Sequence, residues 1–353
     1  MTRVLVVGAG IAGSTLAWWL ARGGTEVTVV ERTAGRRSSG SPVDVRGAAT
    51  PVVARMGLAE QLRAAATRTT EMALVDEAGR RIARMPVQSG DGIELPRADL
   101  ARILGEAAQG SAEFRFGDTV TALAGDPHGV DVTFAQARPE RFDLVVGADG
   151  LHSRVRRLAF GPDSRFVRHL GMHVATVALD GAADPSTVRM HNAPGRALAI
   201  HPATGRELAA FLFRGPLAPG VAPIDLLDAT YRGVGWRVPE VLERARAADD
   251  LWYDAVSRVR LPSWSRGRIA LVGDAASCVS LLGEGSSLAI AGAATLAAAL
   301  ATEPVEVALR RYEHAHRRRT TPRGRAAGVM SHFLVPATGG GIALRNRALR
   351  FVA

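Results

Sequence analysis

Residues 3–13 read RVLVVGAGIAG and residues 26–31 read EVTVVE, with an apolar stretch between them that closes on Gly23-Gly24. A continuous Val/Leu run is what a parallel strand buried on both faces requires. A GxGxxG pattern follows at once, and residues 14–22 carry a helical pattern ended by glycine. The spacing predicts a strand–turn–helix–strand unit. In such a unit Gly8 permits the tight turn, Gly10 lets the backbone approach a pyrophosphate, and Gly13 allows close helix–strand packing. Ile11 and Ala12 open the helix, whose free N–H groups and positive dipole end favour phosphate. Glu31 ends the second strand beside Arg32, placed to accept hydrogen bonds from an adenosine ribose. The unit points to dinucleotide binding and does not by itself separate FAD from NAD(P).

Two further junctions make that separation. Residues 141–150 read RFDLVVGADG and are followed by LHSRVRR, while residues 268–276 read RIALVGDAA and lead to Gly283-Glu284-Gly285. Asp274 at a strand end can accept from a ribityl hydroxyl. The Gly283–Gly285 backbone, opening a helix over 287–301, can aim N–H groups at a pyrophosphate or an electron-rich flavin edge. A lone Gly-Asp reads as an ordinary turn; three such features in this order point to FAD.

Between these junctions the pattern changes to period two, over 71–94 and again over 166–214, which predicts antiparallel strands. Helices are expected over 97–108, 225–248 and 304–319. The fold class is therefore α/β: a Rossmann-like FAD-binding domain with a parallel sheet, interleaved with a smaller antiparallel-sheet substrate domain and closed by a C-terminal helix. Residues 1–70, 97–163 and 262–320 are assigned to the discontinuous FAD-binding domain, 71–96 and 164–261 to the substrate domain, and 321–353 to a C-terminal helical segment.

The 353 residues are 47% hydrophobic and 22% charged, an ordinary globular balance. The net charge of +10 comes entirely from arginine, because the chain has no lysine. That excludes Schiff-base chemistry. The dense run HAHRRRTTPRGR at 314–325 reads as a solvated helix end rather than a partner or membrane-surface patch, and no nucleic acid is expected. No apolar run reaches the ~20 residues of a membrane span. The N-terminus is a strand–turn–helix start rather than a signal peptide, and the lone Cys278 allows no intrachain disulfide, so a cytoplasmic monomer or homodimer is expected.

The pattern resembles the single-component (class A) flavoprotein aromatic hydroxylases of the p-hydroxybenzoate hydroxylase fold. The likeness covers nearly the whole chain. Within that family it looks most like the tetracycline-inactivating monooxygenases and their relatives in natural-product pathways. GAGIAG…VVER, PVDVRGAA, ELPRADLARIL, VVGADGLHSRVR and IALVGDAASCVSLLGEGSSLAIAGA carry the likeness. It implies that Gly8, Gly10, Gly13 and Glu31 hold the ADP half of FAD, that Asp44 and Arg46 lie along the flavin, and that Arg97 reaches the phosphate–ribityl region. Asp149 with Gly150 belongs to a motif linked to both FAD and NADPH. Asp274 would hold the ribityl chain, with Gly283 and Gly285 near the isoalloxazine. Arg37 matches a position associated with NADPH; a solvated loop arginine is the alternative. One departure concerns flavin movement: where many relatives have GDAAH, a Pro-Pro pair and GQG, this chain has Ser277, CVSLL and Gly283-Glu284-Gly285. Cys278 reads as a small packed residue.

The implied activity is an FAD-dependent monooxygenase. NAD(P)H would reduce the flavin and O2 would give a flavin C4a-hydroperoxide, which oxygenates an aromatic or polycyclic small molecule in natural-product biosynthesis or antibiotic modification. The antiparallel sheet should roof the pocket. Met190, Asn192, His201, Phe211 and Phe213 are candidate lining, since alternation puts some of them on one face. His173, His191 or His201 could deprotonate a phenol. The alternatives are an FAD-dependent reductase or dehydrogenase on the same fold, and a flavin-binding partner protein without turnover. A flavin halogenase is disfavoured, since those enzymes depend on an active-site lysine.

Overall fold

The apolar runs at the three junctions become neighbouring strands, which lets their buried backbone groups pair with one another. In the computed structural model, which describes residues 2–35, 41–87, 92–181, 184–203, 206–278 and 284–350, strand Arg3–Val7 pairs in parallel with Glu26–Glu31 on one side and Leu144–Gly147 on the other. Ile269–Leu271 extends the sheet in parallel beyond Leu144–Gly147, and Glu113–Phe116 extends it beyond Glu26–Glu31. A short antiparallel strand, Ser265–Arg266, completes its edge. Leu5 and Val146 are fully buried. Helix Ile11–Arg22 and the Ala-rich helix Gly285–Leu300 pack on this sheet and on each other, and a single hydrophobic core joins them. The fold is the mixed α/β arrangement that the strand patterns imply.

A second sheet runs in the order Trp252–Val259, Val167–Leu179, Arg206–Arg214, Arg196–Ala203, Thr187–Ala193, Glu71–Val75 and Arg81–Pro86. Its pairings are antiparallel except for Thr187–Ala193 with Glu71–Val75, which is parallel because segments far apart in the chain meet there. A separate two-stranded antiparallel ribbon pairs Pro42–Val45 with Ile93–Pro96. One face of the second sheet packs Ala175, Leu198, Ile200, Phe211 and Phe213 against helices Pro223–Tyr231 and Val238–Arg246. The other face packs Met172, Met190, Ala199 and Ala210 against Leu334, Val335 and Leu349 from the C-terminal helices.

Two elements differ from the sequence expectation. The helix expected over 225–248 is two helices, broken around Gly233 at φ +74° and Trp236 at φ +56°. Both halves contribute to one core, Leu227 and Tyr231 from the first and Val238, Val241, Leu242 and Ala245 from the second. The helix expected to end at 319 runs from Val305 to Leu334 through Pro322. An internal proline removes one hydrogen bond and kinks a helix. Packing against Gly285–Leu300 at one end and arginine anchors at the other hold this helix continuous. Arg214 donates to the Ser331 and Val335 carbonyls, and Arg345 donates to those of Phe333 and Leu334. Among the described residues no helix is long and apolar enough to cross a membrane.

Candidate functional site

The three glycine junctions converge on one place, and the glycines explain why. A Cβ on Gly8, whose φ is +106°, would stand 2.7 Å from the Ala148 carbonyl oxygen. One on Gly13 would stand 1.9 Å from the Gly8 carbonyl oxygen, and one on Gly273 would stand 2.8 Å from Ala12 Cβ. These positions bring the first helix against the ends of strands Arg3–Val7, Leu144–Gly147 and Ile269–Leu271. Gly10 is the exception: a Cβ there would meet nothing within 4 Å. Space therefore lies open at the N-terminus of helix Ile11–Arg22, which has no side-chain cap and no acidic residue in its first turn. Uncapped N–H groups facing open space suit a phosphate. Ile11 and Ala12 are themselves buried, and Arg32 is exposed.

Glu31 is already oriented. Its Oε2 accepts from Ala9 N at 3.0 Å, and its Oε1 accepts from Thr33 N at 3.1 Å. Asp149 accepts from Arg154 N at 2.6 Å and Val155 N at 3.1 Å through Oδ2. Its Oδ1 is buried with no hydrogen-bond partner among the described residues. Burial pushes its pKa up against the pull of those N–H donors. Such an orphaned acceptor fits a hydroxyl donor from a bound molecule. Gly150 follows at φ +76°. Burial also raises Asp274, partly offset by the positive charge of Arg97 and by the Cys278 thiol. Arg97 starts helix Arg97–Gln109 and donates its N–H to the Ser41 carbonyl. A Cβ on Gly285 would lie 3.9 Å from Asp274 Oδ1, so the opening of the Ala-rich helix sits beside this carboxylate. Cys278 is buried in the core. Arg37 and Gly283 lie outside the described residues.

Asp44 and Arg46 join the same cleft. Arg46 lies 3.7 Å from Asp44 and 3.2 Å from Glu284. Ser287 Oγ donates to the Asp44 carbonyl at 2.7 Å and accepts from Arg46 N at 3.0 Å. Burial raises the Asp44 pKa, with Arg46 opposing it. The donor set thus offers phosphate-binding amides, carboxylates for ribose and ribityl hydroxyls, and a charged strip beside them, which fits FAD.

Some contributors were not legible as site residues. Arg156 is wholly buried, donates to Asp163 at 2.7 and 3.0 Å, and reaches the Ala275 carbonyl at 3.1 Å. It thereby ties the GADG junction to the GDAA junction. Only its place in the LHSRVRR run hinted at it. Ser287 gave no signal at all, because a serine in an Ala-rich helix looks like filler.

The second sheet supplies the other wall. Residues paired across neighbouring strands share a face. The ladder aligns Asp254, Val174, Leu212, Ala197 and Asn192 in one row. Thr176, Ala210, Ala199 and Met190 form the next row, and Ala178, Leu208 and His201 the one after. This face meets the flavin-binding half of the molecule: His152, just past the GADG junction, lies 3.1 Å from Asp254. Asn192 donates to the Leu334 carbonyl and accepts from Arg345. His201, half-buried, has its pKa pushed down to about 4 by burial.

Phe211 and Phe213 lie on the opposite face, both against Tyr231. His173 and His191 point that way too. His173 Nε2 donates to the Pro216 carbonyl at 3.0 Å, since a carbonyl can only accept, so its Nδ1 accepts from Tyr253 at 2.7 Å. His191 Nδ1 donates to the Val75 carbonyl at 3.1 Å. The sheet therefore gathers Met190, Asn192 and His201 on the face that carries Asp254, where Met190 and Asn192 meet the C-terminal helices, and separates them from the other four.

Comparison with known proteins points to the same cofactor. A family model described as FAD binding domain matches residues 1–322. An uncharacterized protein of Mycobacterium tuberculosis is 39% identical over 85% of both chains. A flavin-dependent monooxygenase of Legionella longbeachae is 32% identical over 84% of this chain and 80% of its own. Among solved structures, the tetracycline destructase Tet(51) superposes with a TM-score of 0.87 at 28% identity, covering 100% of this chain and 96% of the other. HpxO of Klebsiella pneumoniae, solved with FAD and uric acid, shares the fold at a TM-score of 0.80 and 22% identity. With a family model matched over residues 1–322 and a monooxygenase relative 32% identical over most of both chains, the chain belongs to the FAD binding domain family, among the FAD-dependent monooxygenases.

Proposed function

We propose that this monooxygenase takes its electrons from NAD(P)H and oxygenates a small aromatic or polycyclic molecule held between the flavin site and the second sheet. The observation that carries the reading is the row Asp254–Val174–Leu212–Ala197–Asn192. Beside Asp254, whose Oδ2 has no partner among the described residues, Val174 and Leu212 are only partly buried, a lining that suits an apolar molecule with a polar rim. The resemblance to Tet(51), a tetracycline destructase, supports a polycyclic substrate.

FAD, once bound, supplies the electron pair that activates oxygen. The chain's own residues bind and enclose. Gly8, Gly10 and Gly13 with the N-terminus of Ile11–Arg22 take the pyrophosphate; Glu31 takes the ribose; Asp274, with Arg97 beside it, takes the ribityl chain. Asp149 offers its orphaned oxygen to a hydroxyl. Leu334, Val335 and Leu349, packed on the same sheet face, would close that side of the substrate space to water. The assay is turnover under labelled oxygen. Substrate-stimulated NAD(P)H oxidation with one labelled oxygen atom in the product is expected. NAD(P)H oxidation with no label in the product would replace this reading by a reductase.

A further inference from the structure

Monooxygenation consumes one proton for each substrate, O2 and NAD(P)H converted to oxygenated product, water and NAD(P)+. A cleft that excludes water needs another route for that proton. Of the three histidines read from the sequence, His173 and His191 sit on the far face of the sheet, and His201 has no hydrogen-bond partner among the described residues. His152, which the sequence did not single out, is placed differently. Its side chain is 65% exposed, and its Nε2 lies 3.1 Å from Asp254 Oδ1.

Asp254 is the cleft-side residue next to Val174 and Leu212. Its Oδ1 also accepts from Ala255 N at 2.8 Å, while its Oδ2 has no partner among the described residues. Asp254 and Asp274 feel each other's charge, so the acid lies near the ribityl carboxylate. We propose that His152 and Asp254 form a proton inlet: the imidazole takes a proton from solvent and passes it through Nε2 to the Asp254 carboxylate, which delivers it into the cleft. The proposal rests on the monooxygenase reading only for the use made of the proton.

The charges facing this pair suit the task. Asp254 comes from strand Trp252–Val259, Asp163 from the turn Asp163–Arg165, and Arg156 from helix Arg154–Ala159. The hydrogen bond to Asp254 raises the His152 pKa, against the lowering by burial. Arg157 donates to the His152 carbonyl at 2.9 Å and so fixes the backbone. Asp274 and Tyr253 are the titratable neighbours of Asp254.

The test uses the FAD-loaded protein and needs neither substrate nor NAD(P)H. Flavin reduced chemically to FADH− and mixed with oxygen returns to FAD and releases H2O2, taking up one net proton. His152→Gln and Asp254→Asn should each slow this reoxidation by roughly a hundredfold, the scale of a lost general acid. Both should abolish the limb of the rate–pH profile on which the rate falls as His152 deprotonates. His152→Ala should regain rate on addition of imidazole, which a merely structural contact would not allow. Unchanged rates and pH profiles in both variants, or failure of imidazole to rescue, would overturn the inlet. A protein that shows all these effects yet incorporates no labelled oxygen would instead sink the monooxygenase reading and leave the inlet standing.

Discussion

The glycines of the GAGIAG turn make a sharp test, because two of them should fail in opposite ways. At Gly13 an added Cβ would be 1.9 Å from the Gly8 carbonyl oxygen, 3.1 Å from its carbon and 3.3 Å from Ala148 Cβ. The two nearest are backbone atoms and the third is a Cβ fixed directly to the backbone at the junction of helix and sheet, so none of them can step aside. Gly13→Ala should cost about 3 kcal/mol, the upper range for overpacking a core, against a total stability of roughly 5–15 kcal/mol. At Gly10 the added Cβ meets nothing within 4 Å. Gly10→Val should cost at most about 1 kcal/mol through poorer helix capping. Its side chain would instead fill the space assigned to the pyrophosphate. The assay is thermal unfolding of the apoprotein with and without FAD, beside a fluorescence titration of FAD. Wild-type protein at a hundredfold excess over Kd should gain about 2.7 kcal/mol from the cofactor. Gly10→Val should keep its apo melting temperature and show no gain, whereas Gly13→Ala should already melt early as apoprotein. FAD binding by Gly10→Val at wild-type affinity, or a Gly13→Ala apoprotein as stable as wild type, would refute the reasoning.

Other outcomes follow from the same geometry. Asp274→Ala should purify largely free of flavin with its secondary structure intact, read by the visible spectrum; full flavin content would remove Asp274 from the site. Arg156→Met should lose about 2 kcal/mol in denaturant unfolding, because it leaves the Ala275 and Leu151 carbonyls without their buried donor and takes from Asp163 one of its two guanidinium partners, the other being Arg157; a loss below about 1 kcal/mol would contradict that role. Asp118 should govern part of the acid response. Burial pushes its pKa up, but backbone N–H groups of Thr119, Ala135, Gln136 and Ala137 outweigh this and hold it low. A depressed folded-state pKa contributes stability above the ordinary carboxylate range and loses it as pH falls through the folded value. Asp118→Asn should therefore be less stable than wild type at neutral pH, by a margin that shrinks in acid. A margin independent of pH would show that Asp118 acts only through packing.

How far the sequence reached depended on how local each signal was. The dinucleotide turn was legible because its three glycine requirements, its flanking strands and Glu31 all fall within residues 3–31. The two Gly-Asp junctions were legible for the same reason. The break between the helices Pro223–Tyr231 and Val238–Arg246 was missed although its signals, Gly233, Gly235 and Pro239, are local, because the apolar pattern on either side was read as one helix. The helix through Pro322 was missed because proline is a local stop signal, and the anchors that overrule it, Arg214 and Arg345, come from elsewhere in the chain.

The substrate side shows the limit most plainly. Alternation along Thr187–Ala193 and Arg206–Arg214 assigns every side chain to one of two faces, but it cannot say which face meets the flavin. Met190 and Phe211 look alike as buried apolar residues in strands, and they lie on opposite sides of the sheet. The pairing of His152 with Asp254 spans 102 positions of sequence and leaves no mark in either neighbourhood. By itself the sequence determined the nucleotide-binding turn, the parallel strands and the class of cofactor, because short-range sterics and hydrogen bonding dictate them. Tertiary structure alone decided which residues face the cleft and which histidine meets a carboxylate there, because those contacts depend on how two sheets, folded from interleaved segments, come to lie against each other.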